Sequence, residues 1–146
     1  MTCKSRISAF TAAAAALVWL GVSFASPSET FKARLSPTPS VPANRDNLTG
    51  TGSATATLVG AKLSIAGKFE ALRTPATVAR LHQSSVTGVR GPAVFDLTVS
   101  KATSGELSGS FDLSPQQIEI LNKGRFYIQI HSEKAPEGNL WGWLLR

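Results

Sequence analysis

The sequence predicts an all-β domain, a Greek-key-like β-sandwich or barrel of about eight short strands with one short helix near Ser114 to Lys123. Three observations predict it. Short stretches alternate apolar and polar side chains with period two, the spacing that puts successive residues on opposite faces of a strand. Clusters of Gly, Pro, Ser and Thr separate those stretches at short intervals, as turns do. Only one stretch carries the start and stop signals of a helix.

The elements follow in chain order. A first short strand is expected over Thr30 to Leu35. Ser36 to Asn47 holds three prolines and almost no large apolar residue, so it reads as a long exposed loop, and 27–50 as a whole is largely extended or loop-rich. Regular alternation begins after it. Ala54, Ala56 and Leu58 alternate with Thr55, Thr57 and Val59, and Leu63, Ile65, Gly67 and Phe69 alternate with Lys62, Ser64, Ala66 and Lys68. Val59 to Lys62, centred on Gly60, suits a hairpin between those two strands. Further strands are expected over Thr77 to Gln83, Ala93 to Ser100, Glu106 to Leu113, Arg125 to Ser132 and Asn139 to Leu145. Turns are expected at Gly88 to Pro92, Thr103 to Gly105 and Ala135 to Gly138. In the helix, Ser114 can cap, Pro115 suits the first position, Ile118 and Leu121 share a face, and Gly124 can close the end. Its expected place is a lid over the β core.

The N-terminus reads as a secretory signal. Lys4 and Arg6 precede an uncharged stretch from Ile7 to Phe24, continuously apolar over Ala12 to Leu20, and the small residues Ser23 and Ala25 permit cleavage after Ala25. An uncleaved anchor is the competing reading, since such a stretch approaches the length that crosses a bilayer. The moderate hydrophobicity of an alanine-rich core and the polar, proline-rich segment that follows favour cleavage. The expected organisation is therefore 1–25 signal peptide and 26–146 a single domain, exported to the periplasm or beyond and without a stable membrane anchor. Cys3, the single cysteine, departs with the leader, so the mature chain relies on packing rather than disulfides. Loss of Lys4 and Arg6 lowers the formal charge from +6 to +4. The basic residues are scattered along the chain, which argues against nucleic acid as a partner. An unidentified protein or an anionic cell-surface polymer is the expected partner class. Asn47-Leu48-Thr49 is a glycan acceptor sequence, meaningful only in a eukaryotic secretory pathway.

Two segments carry a family resemblance. The first is Ala79-Arg80-Leu81-His82 with Gly88-Val89-Arg90-Gly91-Pro92 and the apolar run Ala93 to Leu97. The second is Gly124 to Ser132 with Pro136-Glu137-Gly138-Asn139-Leu140-Trp141-Gly142-Trp143-Leu144. Together with Leu113-Ser114-Pro115 and the stretch Phe31 to Leu35 followed by Val41-Pro42, they resemble the chordin-type, or CHRD, domain. The resemblance implies a secreted β-sandwich and no established reaction. Arg80 stands where the family usually has its first histidine, and Asn139 and Trp141 replace the usual acidic and basic residues of the final strand.

The residues that can carry chemistry are few. Alternation turns Leu81, Ile128 and Ile130 inward and Arg80, His82, Gln129 and His131 outward. If the two strands are neighbours, His82 and His131 can converge, and neutral imidazole is a good ligand for copper or zinc. Two histidines are few for zinc, and Arg80 adds a permanent cation, although Asp96 or Glu133 can supply a carboxylate. The preferred reading is that both histidines form hydrogen bonds fixing the adjoining loops. No nucleophile elbow, phosphate cradle or mature cysteine is present, so no catalytic residue is assigned. Trp141 and Trp143 share one face of the last strand. Core packing of at least one of them is the expectation; outward, they make an apolar platform for sugars or a protein. The leading expectation is an exported, non-enzymatic binding or structural module with Arg80, Gln129, Trp141 and Trp143 as binding residues. The alternative is a copper or zinc protein, redox-active in one version, built on His82 and His131.

Overall fold

The computed structural model describes residues 25–146, so all of the expected leader except the exposed Ala25 lies outside the described residues. In β1 (Ser28–Pro37) Phe31, Ala33 and Leu35 are buried while Lys32 and Arg34 between them are exposed. β2 (Thr51–Val59) buries Ala54, Ala56 and Leu58, and β3 (Lys62–Glu70) buries Leu63, Ile65 and Phe69, so both follow the predicted alternation. The hairpin between them turns on Gly60, which takes the left-handed conformation (φ 60°) that suits glycine. Next come β4 (Ala76–Gln83), β5 (Ala93–Val99), β6 (Gly105–Asp112), α1 (Pro115–Asn122), β7 (Phe126–Ser132) and β8 (Ala135–Trp143).

All pairings are antiparallel, and the strands close into a barrel in the order β1-β2-β3-β6-β5-β4-β7-β8. The closure is uneven. β5 meets β6 only at Thr98 and Val99, opposite Ser108 and Leu107. β1 meets β8 at Ser36 and Pro37, opposite Trp141 and Leu140, and again through the bridge from Lys32 to Leu145. These two thin seams join two well-paired halves, β1-β2-β3-β6 and β5-β4-β7-β8, so the barrel is a sandwich zipped along both edges. Inside lie the leucines, isoleucines and phenylalanines of both halves. Ser114 caps α1 in a reciprocal capping box with Gln117, and buried Leu121, with Ile118 and Ile120, packs the helix on the core as expected of a lid.

Three expectations are corrected. β1 runs from Ser28 to Pro37, beyond the predicted Leu35, because β2 pairs with it from Ser28 to Leu35 and β8 pairs with its last two residues. Within the predicted loop, Arg45–Asn47 form one short 3-10 turn. The turn expected at Ala135 to Gly138 is strand, and the chain reverses at Glu133 and Lys134 instead. Pro136 and Gly138 mark an irregular stretch of the β7–β8 ladder, which shifts register between Ile130 and Ser132.

Candidate functional site

The outer face of β4, β7 and β8 is not simply solvated. Tyr127 points outward between the inward Phe126 and Ile128, yet it is only 1% exposed, and outward Gln129 only 3%. The cover comes from the segment joining β4 to β5, which folds back over the sheet. The Tyr127 hydroxyl donates to the Gly91 carbonyl (3.1 Å) and accepts from the Gly91 N–H (3.0 Å). His82 Nδ1 bonds the same carbonyl at 2.9 Å. Arg90, one residue earlier, donates to the Glu137 carbonyl (3.1 Å) and lies 5.8 Å from the centre of the Trp141 ring. Gln129 Nε2 also bonds the Glu137 carbonyl (2.7 Å), and Gly138 (φ 123°) lies so close to that amide that a Cβ there would fall 1.9 Å from Nε2.

The two histidines come together as their outward placement allows. β4 and β7 are neighbours, and the imidazole centroids lie 6.4 Å apart with planes 30° from parallel. His131 Nδ1 bonds the Pro136 carbonyl at 2.7 Å. Because a carbonyl only accepts, Nδ1 carries the proton in both rings, and in the neutral state each Nε2 is left with a lone pair. Both Nε2 atoms are buried and have no hydrogen-bond partner. His82 also stacks on Tyr127 at 4.8 Å. Burial holds its pKa below the usual 6.5, with smaller repulsions from His131, Arg80 and Arg90, while the Gly91 carbonyl acts in the opposite direction.

Asp96 and Glu133, either of which could have supplied a carboxylate, do not cluster with the two histidines. Asp96 is exposed and paired with Arg80 at 3.0 Å, and the described residues contain no group of three or more His, Cys, Asp or Glu able to hold a metal. Arg80, at the position where a first histidine was expected from the resemblance, is thereby an exposed ion-pair partner rather than part of the imidazole pair.

The tryptophans correct the expectation of core packing. Leu140 and Leu144 fill the core and Gly142 is buried between them, so Trp141 and Trp143 stand on the outer face, part-exposed. Their rings lie 6.1 Å apart, and both pack on Tyr127, at 5.8 and 4.6 Å. Across the seam, Lys32, Arg34 and Ser36 of β1 face them over a groove of about 510 Å³ that ends at Leu145. Gly142 sets the approach of the two strands: a Cβ there would lie 2.4 Å from the Arg34 carbonyl oxygen.

Over residues 31–144, from the first inward residue of β1 to the last of the chain, the sequence matches the CHRD domain family. The chain belongs to that family. Neither the curated proteins nor the solved structures yielded a match. The match begins within β1 and covers every later strand of this CHRD domain, including both histidines and both seam tryptophans. Lys32, Arg34 and Arg90 were not among the residues expected to form a site. The period-two pattern marks Lys32, Arg34 and Tyr127 as outward, but their placement beside β8 needs the barrel to close.

Proposed function

We propose that this CHRD domain is an exported, non-enzymatic binding module that holds an anionic cell-surface polysaccharide in the groove at the β1–β8 seam. One observation carries the reading: Trp141 and Trp143 face outward as an adjacent pair opposite Lys32 and Arg34. Indole rings offer flat apolar area that loses little conformational entropy on contact, a surface that suits the C–H faces of sugar rings. Guanidinium and ammonium groups at hydrogen-bonding reach add carboxylate, sulfate or phosphate recognition. The signal-like N-terminus supports export, and among the described residues no helix is long and apolar enough to cross a membrane.

Affinity electrophoresis through gels containing acidic or neutral polysaccharides tests the binding. Retardation by an acidic polymer, weakened by salt and lost in a Trp141→Ala, Trp143→Ala double variant, is the expected result. Equal retardation of parent and double variant would remove the groove from consideration. Intact-mass analysis of the exported protein tests the address: the expected mature chain begins at Ser26, and a membrane-held form retaining Met1 would contradict it.

A second reading has its own observation. The paired imidazoles, each with Nδ1 fixed on a carbonyl and Nε2 buried and unpartnered, support binding of a copper or zinc ion by His82 and His131. Metal analysis of the purified chain tests it, with a His-dependent stoichiometric metal as the expected result.

A further inference from the structure

Within that metal-binding reading, on which the inference rests, we infer that His82 and His131 form a two-coordinate site selective for cuprous ion, with each Nε2 as a ligand. A buried polar atom without a partner is uncommon, and two of them on adjacent rings call for a shared explanation. The arrangement around them is that of metal-ligating histidines, whose other ring N–H is held by a carbonyl that fixes tautomer and orientation. Here the anchors come from different segments, Gly91 on the returning β4–β5 connection and Pro136 on β8, so neither ring can turn without breaking its own bond.

The separation of the ring centres is compatible with one ion held between the two rings. With metal–nitrogen bonds of about 2 Å, two imidazoles on opposite sides of an ion have ring centres about 6 Å apart. The observed separation is 6.4 Å.

The donor set then selects the ion. Zinc is held by about four ligands, three of them from protein even at open sites, and the described residues offer no third His, Cys, Asp or Glu in the cluster. Cuprous ion has a filled d shell and is stable between two nitrogen donors in a near-linear arrangement. Its single charge also limits repulsion from Arg80 and Arg90, both close enough to act on His82. Tyr127, stacked on His82 at 4.8 Å, adds an aromatic face beside the pair.

The test is an anaerobic titration of the full chain, carrying Cys3→Ser so that the leader thiol cannot compete, with the cuprous bicinchoninate complex. The parent is expected to withdraw one equivalent of metal. His82→Asn and His131→Asn, which keep an amide donor near the Nδ1 position and remove Nε2, are expected to withdraw none. Copper-edge X-ray absorption of the loaded parent decides the matter even if a variant misfolds: the two-coordinate cuprous signature with nitrogen neighbours alone is expected, and sulfur neighbours or a higher coordination number would overturn the inference. Parallel titrations with zinc and cupric ions separate the two levels. Histidine-dependent binding of either divalent ion without cuprous transfer would overturn cuprous selectivity and leave the metal reading standing. No histidine-dependent binding of any of the three ions would end both.

Discussion

His82 shows how one residue is given two tasks by its position on a strand. Its Nδ1 anchors the returning connection at Gly91, and its ring supports Tyr127, while its second nitrogen stays buried. The sign of its pH effect follows from burial. A folded-state pKa below that of the unfolded chain means that unfolding takes up protons, so this histidine's contribution is complete above about pH 6.5 and falls as pH drops towards the folded pKa. Urea titrations of the metal-free chain are therefore expected to show declining stability as pH falls from 7 through the region below 6.5, with the decline reduced in His82→Asn. A variant with the parent's full pH slope would assign the effect to other groups. Trp141 and Trp143 make the opposite case, since each rests on Tyr127 without entering the core. Alanine at either is expected to cost clearly less than the roughly 3 to 5 kcal/mol of a core tryptophan, as measured by denaturant unfolding.

At the scale of elements, the β1–β8 seam decides what the surface offers. Gly142 lets β8 approach Arg34 closely, and the open stretch between the Ser36 pairing and the Lys32–Leu145 bridge leaves the groove beside it. Gly142→Val places carbon atoms against the backbone of β1, so the seam must widen; a destabilisation of about 1 to 3 kcal/mol is expected from such overpacking. The same variant is expected to weaken polysaccharide retardation. An unchanged melting temperature would show that the seam has slack. In α1 the capping box offers a milder change: Ser114→Ala is expected to cost about 0.5 to 2 kcal/mol, read from the same unfolding curves.

Across the whole molecule, stability rests on one core enclosed by two half-sheets, and the chain ends close it. Leu144 is fully buried, whereas its neighbour Leu145 is 48% exposed at the end of the groove. Leu144→Ala is expected to cost about 2 to 5 kcal/mol and Leu145→Ala much less, because only the first opens a cavity. Comparable losses in the two variants would contradict the inward placement of Leu144.

The sequence by itself determined the strands that alternate cleanly, such as Ala54 to Leu58 and Leu63 to Phe69, and the capped helix at Ser114, because period and capping are local properties of the chain. It also determined that Arg80, His82, Gln129 and His131 lie on outward faces and, through the two resembling segments, the CHRD family. Tertiary structure decided the rest. Local alternation placed Leu140 and Gly142 on one side and the tryptophans on the other, but only the assembled core shows which side is inside, and there Leu140 and Leu144 displace the larger indoles. Pro136 and Gly138 look like turn residues in sequence, yet their neighbours on β7 hold them in a bulged strand. The burial of Tyr127, the unpartnered Nε2 atoms and the union of Lys32 and Arg34 with Trp141 and Trp143 all depend on segments far apart in the chain meeting around a closed barrel, a relation that no local pattern encodes.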